Sequence, residues 1–196
     1  MNKQDVIAFF DHCAPTWDAG MVTNDAVIGH ILDNARVSSG DEVLDVACGT
    51  GVLFPYYLER GVSSVTGIDI SPRMVELARN KWGSEPRVAL ICGDAEVFTS
   101  EKRYDAIVVY NAFPHFVDPA VLIRQLASLL KEGGCLTVAH GASRERINRH
   151  HQGSAAKVSR GLMPAEELCA LFADCLQVDT VVSDEAMYQV CGVKRS

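Results

Sequence analysis

Two short segments of the chain carry the residue types best suited to binding a ligand. Glu42 to Gly51 (EVLDVACGTG) begins as an apolar run typical of a buried parallel strand and ends in a turn of small residues. Gly49 and Gly51 allow backbone angles and a close ligand approach that a Cβ would hinder. Asp69 ends a second apolar run 18 positions after Gly51, where a carboxylate can accept hydrogen bonds from both hydroxyls of a ribose. This pairing predicts a nucleotide-like ligand.

Nicotinamide-binding and adenosyl-binding folds both combine a glycine-containing turn with a ribose-binding acid at the end of the next strand, so both ligand classes are considered. The dinucleotide fingerprint requires a small residue three positions after its second glycine, and Phe54 stands there. Phe54 therefore argues against a pyrophosphate site. A nicotinamide-dependent (NAD) oxidoreductase on the same core is kept as an alternative.

The glycine segment resembles motif I of the class I S-adenosylmethionine (SAM)-dependent methyltransferases, with Asp45 as its acid and Ala47 in place of its usual first glycine. The likeness runs from about Phe9 to Ala139. It implies SAM as methyl donor, S-adenosylhomocysteine (SAH) as product, and transfer to a small-molecule acceptor by in-line displacement. A non-catalytic SAM-binding protein is a further alternative.

Taken position by position, the resemblance implies a cofactor site at the ends of successive strands. Asp45 would bind the ammonium group, Asp69 the ribose, and the backbone of the turn the methionine moiety. Asn111 would lie under the sulfonium through its backbone carbonyl. Met74 would contact adenine unless it is an ordinary core methionine, and Asp94 would read the adenine edge unless it is a solvated turn residue. The expected cofactor residues are Trp17, Asp45, Ala47, Cys48, Gly49, Gly51, Asp69, Ile70, Met74, Asp94, Ala95 and Asn111.

The segment ahead of the core resembles the lid of many small-molecule methyltransferases. Phe10 to Asp18 (FDHCAPTWD) matches that pattern, with Trp17 in the aromatic place. Apolar residues between positions 2 and 12 recur at helical spacing, so a helix is expected there. A helix that merely packs on the domain is the alternative.

Four histidines fall in segments that should form a pocket, and they are the candidates for acceptor-side chemistry: His115, His140, His150 and His151. His140 ends the fifth predicted strand, and the basic segment from His140 to Arg160 then breaks the regular pattern. If Ser143 caps a short helix, Ile147 and His151 share one face. These histidines could supply a base or hold a metal, although no recognised ligand spacing occurs, and a solvated basic helix is a third interpretation.

The pattern of elements predicts an α/β fold. Strands and helices alternate up to residue 139, which indicates a doubly wound, Rossmann-like, mostly parallel sheet with helices on both faces. The resemblance adds an antiparallel terminal pair, completing seven strands. Beyond strand one, the predicted strands are 64–69, 88–92, 104–110, 135–139, 176–183 and 188–194. Besides the N-terminal helix, the predicted helices are 24–35, 52–60, 71–81, 164–172 and one from 118 that stops at 133–134.

Residues 1–196 are expected to form a single methyltransferase domain. We divide it into an N-terminal helical lid at 1–40, a SAM-binding core at 41–139, a substrate-side insertion at 140–165, and a terminal helix and strand pair at 166–196.

The composition indicates which binding partners and which cellular compartment to expect. The net charge of −7 opposes attraction to nucleic acid, so none is expected as a partner. No apolar run approaches the ~20 residues of a membrane span, and no signal-peptide pattern is evident. Seven scattered cysteines without a C-x-x-C pair favour reduced thiols. We therefore expect a cytoplasmic protein without membrane association, and we infer nothing about its oligomeric state.

Overall fold

The computed structural model describes residues 1–150, 152 and 154–195. Within these residues, seven strands form one sheet in the order β3-β2-β1-β4-β5-β7-β6. The strands are β1 Glu42–Val46, β2 Ser64–Asp69, β3 Val88–Cys92, β4 Tyr104–Tyr110, β5 Leu130–His140, β6 Gln177–Ser183 and β7 Tyr188–Val193.

Helices connect and cover these strands. Those of α type are α1 Lys3–Cys13, α2 Asp25–Asn34, α3 Phe54–Glu59, α4 Pro72–Trp82, α5 Pro119–Leu129, α6 Arg144–His150 and α7 Ala165–Ala173. Short 3-10 helices span Ala14–Thr16, Asp18–Gly20, Phe113–His115 and Ser154–Lys157. In the described part of the chain, no helix combines the length and the apolar character needed to cross a bilayer.

The strand pairing confirms the predicted fold class. β1 pairs in parallel with β2 and β4, and β4 in parallel with β5. β7 pairs antiparallel with both β5 and β6, which is the terminal pair expected from the family resemblance. The strand order reverses direction between β1 and β4, and open α/β sheets bind ligands in the crevice at such a switch point.

The core covers both faces of the sheet, as the alternation along β1 illustrates. Leu44 and Val46 belong to the cluster that packs under α5 and α7. Val43 belongs to the opposite cluster, which includes Ile28 of α2 and Phe54 of α3. All five side chains are fully buried. Successive strand residues point to opposite faces, so the near-continuous apolar run of β1 reflects burial on both sides.

The transition from α5 to β5 differs from the sequence prediction. The helix was expected to continue to the glycine pair at 133–134, but it ends at Leu129, and Leu130 already has extended backbone angles and pairs with Tyr104. Gly133 then takes a positive φ of 75° and turns the chain into the main part of the strand. The glycines thus shape an irregular strand start, while pairing of the buried Leu130 ends the helix.

Gly51 is a packing glycine at the start of the connection to α3. Its φ is +86°, and a Cβ there would lie 2.6 Å from Nε1 of Trp82 and 2.8 Å from the ring of Phe54. Phe54, the residue that disfavoured a dinucleotide site, is fully buried beneath this turn. The tight packing therefore requires glycine at position 51.

We expect Gly51→Ala to destabilise the fold by about 2–5 kcal/mol, because the left-handed backbone and the steric overlap both oppose a Cβ. Gly29→Ala is the matched control: Gly29 lies within α2 and a Cβ there meets nothing within 4 Å. Alanine should stabilise that helix by about 0.5–1 kcal/mol. Chemical denaturation of both variants measures the difference; equal stabilities would contradict the packing role of Gly51.

Candidate active site

One cavity of about 610 Å³ opens where the carboxyl ends of β1, β2, β3 and β4 meet the N-terminal segment. Ten of the predicted cofactor residues line it: Trp17, Ala47, Cys48, Gly49, Asp69, Ile70, Met74, Asp94, Ala95 and Asn111. Asp45 and Gly51 do not line it. The cavity therefore gathers residues that are far apart in the chain at the switch point of the sheet.

Of the four candidate histidines, His115 and His150 line this cavity. His140 is buried at the end of β5, where its ring lies 6.2 Å from that of Tyr188, and it does not line the cavity. His151 lies outside the described residues. Ser143 does cap α6, accepting the amide of Arg146 at 3.3 Å as predicted, and that helix turns Ile147 toward the cavity.

Asp69 is held rigidly at the end of β2. Its Oδ2 accepts the amide of Gly49 at 2.8 Å, and its Oδ1 accepts the amide of Ser71 at 2.8 Å. Burial raises the pKa of this carboxyl, while the two backbone hydrogen bonds act in the opposite direction. Each oxygen has a further lone pair, so this fixed carboxylate can accept additional hydrogen bonds from a ligand in the cavity.

Asp45 lies behind the turn and is inaccessible from the cavity. Only 2% of it is exposed, and its Oδ2 has no hydrogen-bond partner among the described residues. Burial, and then the nearby charge of Asp69, raise the pKa of Asp45 well above its usual range. A cation bound in the cavity would favour ionisation of both acids, so the buried pair suits a positively charged ligand.

The turn after β1 has an unusual backbone. Ala47 and Gly49 have φ angles of 55° and 56°. The left-handed conformation costs a non-glycine residue roughly 1–2 kcal/mol, which explains why the family usually has glycine where this chain has Ala47. A Cβ on Gly49 would come within 3.8 Å of Nε1 of Trp17 and would project into the cavity.

Lys3 forms ion pairs at the far end of the cavity. Its Nζ lies 2.5 Å from Asp94 and 2.6 Å from Glu96. Sequence reasoning missed Lys3 and Glu96; the Lys3–Asp94 contact spans 91 positions, and no local pattern signals it. Asp94 is therefore a partner for α1 as well as a candidate for contact with adenine.

The N-terminal segment is fastened to the core at two more points. Oδ1 of Asp11 accepts the hydroxyl of Ser71 at 2.6 Å and the amide of Arg73 at 3.1 Å, at the start of α4. Asp18 accepts the hydroxyl of Thr50 at 2.5 Å and pairs with Lys81 at 2.9 Å. These contacts were not predicted, and they hold the segment across the cavity.

Aromatic rings form the wall beneath this segment. Phe10 makes edge contacts with Phe9, Trp17 and His115, at centroid distances of 5.3, 5.8 and 5.0 Å. These rings give that side of the cavity an apolar wall, which lowers the local dielectric and would strengthen the interaction of a charged group with the fixed polar groups around it.

A hydrogen bond to the backbone fixes the tautomer of His115. Its Nδ1 lies 2.7 Å from the carbonyl oxygen of Val158. A carbonyl only accepts, so Nδ1 carries the proton and Nε2 of the neutral ring is unprotonated. Burial lowers the pKa of His115, although its bond to Val158 acts in the opposite direction. Across the described residues, no group of three or more His, Cys, Asp or Glu side chains is arranged to hold a metal ion.

Comparison with known proteins places this geometry in a family. A methyltransferase-domain family model matches residues 43–134. The malonyl-[acyl-carrier protein] O-methyltransferase of Priestia megaterium is 29% identical over 198 residues, which cover 97% of this chain and 68% of that protein. The chain belongs to the class I SAM-dependent methyltransferases. SAM is therefore its cofactor and SAH the product, as expected.

A second relative and a solved structure are also similar to this chain. The ubiquinone biosynthesis O-methyltransferase of Coxiella burnetii is 29% identical over 143 residues, covering 69% of this methyltransferase chain and 61% of that protein. In fold, the methyltransferase resembles a putative methyltransferase of Haloferax volcanii in complex with the Trm112 activator, with a TM-score of 0.81, 21% identity, and coverage of 95% and 98% of the two chains. It thus spans about three fifths to two thirds of these curated relatives.

The residues present fit SAM. The cavity volume of about 610 Å³ lies within the usual ~300–1,000 Å³ of small-molecule sites. Asp69 offers carboxylate oxygens for ribose hydroxyls, and Ile70 and Met74 offer apolar surface for adenine. The two buried acids suit a ligand with positive sulfonium and ammonium groups.

We expect Asp69→Ala to raise the dissociation constant of SAM at least roughly tenfold, because a hydrogen bond to a charged group is worth about 1.5–3 kcal/mol. Asp69→Asn keeps one acceptor oxygen and should be milder. Calorimetric titration of both folded variants provides the measurement. An unchanged SAM affinity in Asp69→Ala would remove Asp69 from the site.

We expect SAM to slow amide hydrogen exchange across residues 5–20, because bound cofactor would complete the aromatic wall. Asp11→Ala should speed that exchange, since it removes the contacts to Ser71 and Arg73. Asp5→Ala is the matched control, as Asp5 contacts Asn2 of its own helix start. Equal exchange with and without SAM in the wild type would contradict a lid.

Proposed function

We propose that this methyltransferase transfers the methyl group of SAM to a hydroxyl oxygen of a small-molecule acceptor, with His115 as the base. The observation that carries the proposal is the position of His115: it lines the cofactor cavity and is fixed through Nδ1 to the carbonyl of Val158. The O-methyltransferases among its relatives support an oxygen acceptor.

The proposed cofactor site uses the groups with fixed positions. Asp69 accepts from the ribose, the left-handed turn at Ala47 and Gly49 holds the methionine moiety, and Asp94 and Ala95 face adenine. Asp45 does not line the cavity and would attract the positively charged cofactor only through its negative charge. When bound, SAM supplies an electrophilic methyl group whose transfer requires an in-line approach; positioning of this kind is worth roughly 7–11 kcal/mol.

The acceptor side of the cavity is proposed to lie between α6 and the turn that carries His115. Phe116 and Ile147 give it apolar walls, and His150 lies at its exposed end. The N-terminal segment covers the neighbouring cofactor region. We therefore expect the acceptor to be small enough to enter beneath this segment, either as a free molecule or as a group attached to a carrier.

In the proposed methyl transfer, the imidazole of His115 takes up the proton that the acceptor loses. The acceptor oxygen forms a bond to the methyl carbon, the carbon–sulfur bond breaks, and its electron pair stays on sulfur. The hydroxyl proton passes to Nε2 of His115. Val158 stabilises the resulting imidazolium through the hydrogen bond at Nδ1, and general-base assistance of this kind contributes roughly 10²–10⁴-fold to the rate.

Membership of the family removes the NAD oxidoreductase alternative. A protein that binds SAM without transferring its methyl group is the remaining competitor. Incubation with methyl-labelled SAM and a metabolite extract distinguishes the two, with Asp69→Ala as the binding-deficient control. Labelled product in the wild type and not in the control supports the proposal; SAM binding without any labelled product would refute it.

We expect His115→Gln to lower kcat roughly 10²-fold while leaving SAM affinity near wild type. In the wild type, kcat should stay constant at neutral pH and fall only below about pH 6.5, because the pKa of His115 lies below its ordinary value. Folding stability should also fall as pH drops from about 6.5 toward that lowered pKa, since the unfolded chain takes up the proton first.

Two controls accompany this variant. His30→Gln changes an exposed histidine on α2 outside the cavity and should leave kcat unchanged. His150→Gln tests the second cavity histidine. A wild-type pH profile in His115→Gln would exclude His115 as the base.

A further inference from the structure

A second cavity, of about 770 Å³, lies beside the cofactor cavity, and none of the residues assigned to the proposed reaction lines it. It is lined by α6, the 3-10 turn Phe113–His115, the loop at 159–163 and the start of α7. Its polar lining includes Arg144, Asn148, Arg160 and Glu167.

The two cavities share a thin wall. At four places, one of two residues adjacent in sequence lines each cavity, so the wall between the cavities is thin there. With the residue of the second cavity named first, the pairs are Phe113 and Ala112, Pro114 and His115, Asn148 and Ile147, and Ala156 and Ala155. A ligand in the second cavity is therefore next to the proposed acceptor side.

Hydrogen bonds build the second cavity into the fold. The carbonyl of Leu162 accepts Nε of Arg144 at 2.9 Å and Nδ2 of Asn148 at 3.1 Å, and the amide of Leu162 donates to Oδ1 of Asn148 at 2.6 Å. The amide of Arg160 donates to the carbonyl of Pro114 at 2.9 Å. The loop is thus fastened to α6 on one side and to the turn preceding His115 on the other.

The charge of this cavity differs from that of the rest of the protein. Segment 144–160 carries five Lys or Arg residues and one Glu, in a chain of net charge −7. In the described part of the chain, neither Arg144 nor Arg160 forms an ion pair, and Glu167 is the one carboxylate among the described lining residues. By contrast, ion pairs are formed by Arg36, Arg60, Arg73 and Arg87.

We propose that the second cavity binds a carboxylate or phosphate group between Arg144 and Arg160, and that this group belongs to the methyl acceptor. Guanidinium groups recognise such anions through paired hydrogen bonds. Among the described residues neither arginine belongs to an ion pair, so an anion could bind both without breaking one. The acceptor half of the proposal rests on the proposed methyl transfer; the anion site itself does not.

The first test measures anion binding without any activity. Malonate and inorganic phosphate, each compared with chloride at equal ionic strength, should raise the unfolding midpoint of the wild type by about 2–4 °C. Arg160→Gln should abolish the shift and Arg160→Lys should keep part of it. Arg160 is chosen because its side chain is exposed, whereas Arg144 also supports Leu162.

Arg146→Gln is the matched control, because it removes the same charge from an exposed residue of α6 that lines neither cavity. It should keep the full shift. An equal shift in Arg160→Gln and the wild type, or no shift in the wild type, would overturn the anion site.

The second test identifies the source of the anion. With labelled SAM and a metabolite extract, methylated products that bind an anion exchanger should fall roughly tenfold in Arg160→Gln and persist in Arg146→Gln. Non-acidic products unaffected by Arg160→Gln would overturn the acceptor half and leave a free anion as the ligand. SAM affinity should be the same in all variants. If the wild type methylates nothing, the proposed function fails, and the midpoint shifts still decide the anion site.

Discussion

The carboxylate of Asp69 joins two parts of the chain on which the site depends. One oxygen accepts the amide of Gly49, in the turn after β1, and the other accepts the amide of Ser71, the cap of α4. The left-handed backbone at Ala47 turns the chain so that the Gly49 amide can reach Asp69. The same carboxylate that is proposed to bind ribose therefore sets the shape of the surface that holds the rest of the cofactor.

The N-terminal segment completes the site through contacts to each of the neighbouring strand ends. Asp18 reaches Thr50 in the first turn, Asp11 reaches Ser71 after the second strand, and Lys3 reaches Asp94 after the third. Its polar contacts are thus with the loops that form the cavity. These contacts place α1 where a change in the loops on ligand binding would reach it, and the lid itself stays a prediction.

Much of the fold could be predicted because it depends on local signals. The buried run of β1 and the helix that follows β2 are predicted from residue type and spacing. The family resemblance adds the expected cofactor residues, and ten of these twelve line the cavity. The ion pairs of Lys3, the burial of His140 away from the cavity and the hydrogen bond from His115 to Val158 depend on long-range contacts, which no local pattern records. The end of α5 was misplaced because the pairing of Leu130 with Tyr104 overrode the glycine signal.

The two buried carboxyls of the site would affect its relative affinity for SAM and SAH. Burial raises the pKa of both Asp45 and Asp69, and each carboxyl is more easily ionised when a positive group occupies the cavity. SAM carries a positive sulfonium and SAH a neutral thioether, so in the proposed cofactor site ionised acids would attract the substrate more strongly than the product. The aromatic rings around Phe10 give that side of the cavity an apolar wall, which would reduce the screening of this attraction. Burial makes ionisation of these two carboxyls unfavourable in the folded protein. The same burial would make their ionisation respond to the loss of the sulfonium charge when the methyl group is transferred.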